Sequence, residues 1–213
     1  MYDYYGGRAK FGPFFDSIME GVDKADAAKF SKDDILKPEG WDLLSFIMDS
    51  RTGLGRYRDF RISNYQLMEK LVGLCLEQPL EQVMQDEDVK QRVERYYELD
   101  TLFREMLIKY TRIEGHAIVT DLRGVEPIYP GNRFLIYALF PEQNVSLWIV
   151  DGFQKQNCAI ACGHSILNKS CEVPVGYLMR EFGGGGHEAA GTCQVPYARA
   201  DETIAEITKR FNS

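Results

Sequence analysis

Four consecutive glycines closing on a histidine, Gly183-Gly184-Gly185-Gly186-His187, are the residues of this chain best suited to hold an anion. Ordering such a run is costly, because glycine loses more backbone freedom on folding than any other residue. With no Cβ in the way, however, backbone N–H groups can converge on a negatively charged ligand. His187 adds a ring donor that neutralises or positions a phosphate oxygen. The run is not a P-loop, since no Lys-Ser/Thr follows it. It is not a dinucleotide fingerprint, since no predicted strand precedes it. The plain alternative is a flexible tight loop ending in a histidine satisfied by its surroundings.

A second group is basic and aromatic. Arg51, Arg56, Arg58 and Arg61 surround Tyr57 and Phe60, a pattern able to pair phosphates and stack on bases. Gly53 and Gly55 point to a cleft-facing loop, which makes Arg56 a candidate substrate contact. A solvated loop after a helix is the competing reading. Arg180 stands just before the glycine run, where a helical surface position is the default. Cys158, Cys162, His164 and Cys171 contain no Cys-x-x-Cys pair, and period two puts Cys158, Ile160 and Cys162 on one strand face. Core packing explains them better than zinc. Nothing marks an orienting acid for a Cys162–His164 nucleophile pair.

These residues need elements to position them. Phe14, Phe15, Ile18, Met19 and Val22 recur at helical spacing. A second helix begins near Pro38, and a third runs over Tyr65–Leu76 and stops before Pro79. From Asp86 to Arg112 there is neither proline nor glycine, and apolar residues fall every three or four positions, predicting one long amphipathic helix. After Gly115 the pattern changes to short β-type runs: His116–Thr120, Phe134–Phe140, Val145–Val150, Asn157–Cys162 and Ala190–Val195. Helices are predicted over Val175–Phe182 and from Arg199 to the end. The reading is α/β: a helical part over 1–112, then a small α/β domain with a mixed sheet over 113–213.

Composition narrows the function classes. Of the 213 residues 45% are apolar, enough for a sizeable core, yet no run is long enough to span a bilayer. The start carries no secretory signal pattern, so a soluble, cytoplasmic protein without a membrane partner is expected. Five dispersed cysteines suit reduced thiols better than a disulfide scaffold. A net charge of −7 excludes broad attraction to nucleic acid, so any bound phosphate must be held by a local basic pocket or a metal.

Residues 183–187, followed by Ala190-Gly191, resemble the DHH-associated C-terminal domain of the DHH phosphoesterases. Cys162-Gly163-His164-Ser165-Ile166-Leu167-Asn168-Lys169 is similar to that family's strand-end segment. Val22–Phe30 and Asp49–Arg56 resemble its exopolyphosphatase-related and nano-RNase-like branch. The resemblance implies two domains with an active site in the cleft between them. The N-terminal domain of such proteins holds two divalent cations, usually Mn²⁺ or alternatively Mg²⁺, which activate water for attack on phosphorus. The C-terminal domain grips the substrate. A catalytic role for His187 is implied, with substrate contacts from Gly183, Gly184, Gly185, Gly186, His187, His164, Ser165 and Asn168. Asp26, or Asp23 three residues before it, matches a metal ligand.

The sequence departs from the family at one point. No Asp-His-His segment occurs, and the only histidines are His116, His164 and His187. The tyrosine-rich start resembles the helix that follows that segment, so the chain is expected to be the later part of a longer protein. By itself it is expected to bind phosphate ligands weakly, to hydrolyse little, and to self-associate, in the simplest case as a homodimer. Short oligonucleotides or nucleotides are the expected ligands, with polyphosphate a weaker option. A non-catalytic nucleotide- or RNA-binding module, or a fragment without an independent role, are the competing readings.

Overall fold

The computed structural model describes residues 1–213, with ten α-helices and six strands. In chain order they are α1 (Gly7–Phe11), α2 (Asp16–Asp26), α3 (Lys32–Leu36), α4 (Gly40–Met48), α5 (Asn64–Glu77), α6 (Leu80–Val83), α7 (Glu87–Tyr110), β1 (Thr111–Glu114), β2 (Ala117–Asp121), α8 (Leu135–Leu139), β3 (Val145–Asp151), β4 (Cys158–His164), α9 (Val175–Glu181), β5 (Gly185–His187), β6 (Ala190–Val195) and α10 (Tyr197–Phe211). The chain divides into two compact units, Met1–Thr101 with Pro130–Arg133, and Leu102–Tyr129 with Phe134–Ser213. The division falls inside α7.

The first unit is helical. α3 and α5 open on full capping boxes, Ser31 with Asp34 and Ser63 with Gln66, which satisfy the free N–H groups of each first turn. α2 meets α4 closely at Gly21, where a Cβ would lie 2.7 Å from the Trp41 side chain. Lys24 of α2 is held by Asp34 at 2.9 Å and Asp42 at 2.7 Å. The loop before α5 is fastened to α7 by Arg92, which is fully buried. Its guanidinium donates to the Ile62 carbonyl and to Asn64 Oδ1, and lies 3.9 Å from the Phe60 ring centroid. Beside it, Asp88 accepts from Arg61 and Lys70, and the Arg61 hydrogen bonds hold its carboxyl down at about 2.

The second unit is built on a six-stranded mixed sheet in the order β1-β2-β3-β4-β6-β5. Only β2 and β3 run parallel. Alternation sends Val145, Leu147 and Ile149 of β3, and Cys158, Ile160 and Cys162 of β4, into one core with Val175, Leu178 and Met179 of α9 and Ile204, Ile207 and Phe211 of α10. The cysteines thus fill the core as their period-two spacing predicts. Burial pushes the Cys193 thiol up to about 11, and that of Cys162 higher still. On the other sheet face Ser146 Oγ meets the Tyr137 hydroxyl of α8 at 2.8 Å.

Three expectations need correction. Phe134–Phe140 is not a strand: Leu135–Leu139 is helical and buried over Leu135, Ile136, Tyr137 and Ala138. An unbroken apolar run cannot separate a buried strand from a buried helix by period alone. A parallel β2–β3 pair also requires a crossover, for which a helix is the usual solution. The long helix stops at Tyr110, short of Arg112, because Thr111–Glu114 pairs with β2. The glycine run is not wholly a loop, since Gly185–His187 is extended and pairs with Ala190–Thr192 as the outermost strand.

Candidate phosphate-binding site

The four glycines differ in why they must be glycine. Gly183 ends α9 at φ +78°, a left-handed conformation that disfavours any side chain, and its N–H donates to the Arg180 carbonyl at 3.0 Å. Gly184 donates to the Met179 carbonyl at 2.9 Å, and a Cβ there would lie 2.0 Å from the Thr192 carbonyl oxygen. A Cβ on Gly186 would lie 2.2 Å from the Ala190 oxygen. Gly185 has neither constraint: its φ lies outside the left-handed region, and a Cβ would meet nothing within 4 Å. Because β5 is the sheet's last strand, its outer backbone groups have no strand partner.

His187 closes the run in a solvent-exposed position. Its Nδ1 accepts the Ala189 N–H at 3.3 Å, which leaves the ring proton on Nε2 and an N–H donor facing outward. Ala189 also ties this strand end to the next candidate segment, for its carbonyl accepts the His164 N–H at 2.8 Å. The β4–β6 and β5–β6 registers place Gly163 and His187 on either side of Ala190. The sheet thus brings the glycine run and the 162–169 segment to one end.

That segment is occupied by its own fold. His164 Nε2 donates to the Val173 carbonyl at 2.8 Å. Ser165 is 2% exposed, and its Oγ accepts the N–H groups of Leu167 at 3.2 Å and Asn168 at 3.0 Å. Asn168 Nδ2 donates to the Glu142 carbonyl at 2.9 Å, and its Oδ1 accepts the Ser170 N–H at 3.3 Å. These are the bonds of a turn that fixes the chain where β4 ends. The part of Ala189 was not legible in the sequence, because it is played by backbone atoms.

In the first unit Arg56 is exposed and folds back on its own loop, Nε donating to the Gly53 carbonyl at 3.1 Å. The aromatic residues of that basic run are covered: Arg92 lies over Phe60 at 3.9 Å and Arg95 over Tyr57 at 4.6 Å. Asp23 and Asp26 are exposed near the end of α2. No three His, Cys, Asp or Glu side chains are grouped to hold a metal ion. Two surface carboxylates fall well short of the roughly six donors a Mg²⁺-like ion takes, so the residues present do not make a metal centre.

The opposite end of the sheet has an open cleft of about 670 Å³, lined by Tyr110, Asp121, Arg123, Asp151, Lys155 and Tyr197 among others. Its cations are consumed. Arg123 pairs with Asp121 at 2.6 Å and Asp201 at 2.8 Å, and Lys155 pairs with Glu126 at 2.8 Å. An anion entering there meets no free positive charge, although the cleft is large.

A mixed-sheet domain that follows a helical one in the chain and ends on a glycine strand at its sheet edge is the fold of a DHH-type protein. The chain belongs to the DHH phosphoesterase superfamily. It is 44% identical to the pGpG-specific phosphodiesterase PggH from Vibrio cholerae, matching 99% of this chain and 71% of that one with a TM-score of 0.90. The DHH domain of a protein assigned to a family of ribosomal proteins shares the fold at 12% identity, with a TM-score of 0.53 over 95% of this chain and 49% of that one. No family model and no curated protein matches the sequence. No helix is long and apolar enough to cross a membrane.

Proposed function

We propose that this chain carries the substrate-binding part of a divalent-metal-dependent phosphodiesterase that hydrolyses phosphoester bonds in short oligonucleotides. A substrate phosphate sits against Gly185 and His187. The observation that carries this reading is the open space at Gly185. Backbone conformation accounts for glycine at 183, and close contacts account for it at 184 and 186; at 185 the fold leaves room for a side chain. A ligand approaching the backbone supplies the missing reason. The outer N–H groups of the strand and the Nε2–H of His187 then donate to phosphate oxygens, the kind of charge-assisted bond that is shorter and stronger than a neutral one. His164, Ser165 and Asn168 hold the neighbouring strand end in place behind them.

The likeness to PggH favours a short oligonucleotide, of which pGpG is one, over polyphosphate. When bound, Mn²⁺ or Mg²⁺ would supply an activated water and charge stabilisation at phosphorus. Asp26 and Asp23 would contribute carboxylates to such a centre but do not complete it, so this chain alone is expected to bind without appreciable turnover. Arg56 is a further candidate contact in the first unit. The test is Gly185→Ala, with GMP binding followed by calorimetry on the full chain. The methyl group leaves the melting temperature unchanged and lowers affinity about tenfold, the scale of one hydrogen bond to a charged group. An unaltered affinity removes the phosphate from this strand.

A further inference from the structure

α9 lies flush on the glycine strand. A Cβ on Gly176 would lie 2.6 Å from the Gly186 carbonyl carbon and oxygen, and the Val175 N–H donates to the Glu188 carbonyl at 2.8 Å. The next residue, Tyr177, leaves the helix on the side away from the core formed by Val175, Leu178 and Met179, and is 69% exposed. A lone exposed tyrosine is ordinary. This one has company. The Arg180 guanidinium lies 5.4 Å from its ring centroid, within cation–π range. The neighbouring acid, Glu181, is occupied by both terminal nitrogens of Arg210, at 3.1 and 3.0 Å. Arg180 has no ion pair, and its carbonyl takes the N–H of Gly183, where the glycine run begins. Tyr177 thus directly follows the helix residue that touches Gly186, and Arg180 is joined through its backbone to Gly183.

We infer that Tyr177, steadied by Arg180, is a stacking platform for the nucleobase of the nucleotide whose phosphate sits on the glycine strand. The inference rests on the phosphate site proposed above and deepens it. A ring face is useless to a phosphate chain and suited to a planar base, and stacking on it is sequence-tolerant because every base has a π-face. Tyr177 thus makes the site prefer nucleotides over inorganic polyphosphate, and purines over pyrimidines by the larger area they stack.

The experiment compares GMP with ribose 5-phosphate, which keeps the sugar phosphate and lacks the base, on the full chain. Wild type binds GMP about tenfold more tightly, the lower range of one base–aromatic stack. Tyr177→Ala abolishes that preference while leaving ribose 5-phosphate affinity and melting temperature unchanged, and Tyr177→Phe restores it. A preference for GMP that survives Tyr177→Ala overturns the platform. If it survives while Gly185→Ala still weakens ribose 5-phosphate, the platform falls and the phosphate site stands. If Gly185→Ala affects neither ligand, both fall.

Discussion

His164 and His187 stand at the same end of one sheet, and both touch Ala189. They are otherwise opposites. His164 gives its ring N–H to the Val173 carbonyl, and the turn after it supplies partners to the side chains of Ser165 and Asn168. His187 has its Nδ1 filled by a backbone N–H and its donor left free, on a strand whose outer edge is unpaired. Both segments carry part of the resemblance to DHH phosphoesterases, the glycine run more specifically. A motif records the residues a fold and a ligand require together. Accounting for each donor and acceptor separates the two demands: one segment is satisfied by the protein, while the other has capacity remaining for a ligand.

The contrast can be broken in several ways. The largest effect is expected inside the glycine run itself. Gly186→Ala drives a methyl into the Ala190 carbonyl and should cost about 3 kcal/mol of stability, read from urea unfolding. A variant as stable as wild type would mean that close packing is not why this position is glycine. Next comes the histidine pair. His187→Ala should weaken nucleoside monophosphate binding by about 1.5–3 kcal/mol, with the melting curve unmoved. His164→Ala should do the reverse, losing about 1 kcal/mol of stability with affinity intact. Equal losses of affinity in both variants would erase the distinction drawn between them. The smallest effect sharpens it: Ser165→Ala removes one turn acceptor and should cost about 1 kcal/mol or less, again without touching binding.

Much of this was legible in the sequence, for reasons visible in particular residues. The stretch from Asp86 to Arg112 has no breaker, so its helix was plain; only its last turn yielded to strand pairing at Thr111. Val145–Val150 and Ala190–Val195 read as short β-type runs and form strands over 145–151 and 190–195, the second with clean alternation of buried and exposed residues. Phe134–Phe140 misled because a fully buried helix shows no polar face to reveal its period. The glycine run stood out as a candidate site, but its extended conformation was not legible, since glycine carries no strand preference to read. Which of its glycines the fold itself requires depends on β6 carbonyls that no spacing rule locates. The same holds for the basic run: Tyr57 and Phe60 read as free aromatic faces, yet arginines from α7, more than thirty residues on in the chain, cover them.

The hydrogen bond from Val175 to Glu188 has one more consequence. It closes a continuous excursion of the chain that contains α9 and β5 complete, so Tyr177, Arg180, Gly185 and His187 all lie on one short segment. Its buried side, Val175, Leu178 and Met179, faces the core, while those four residues do not belong to it. The ligand preference proposed for this chain is therefore carried by a single replaceable stretch of sequence. Exchanging residues 177–187 between relatives that keep the buried side would transfer the preference with the segment and leave the rest of the domain as it was.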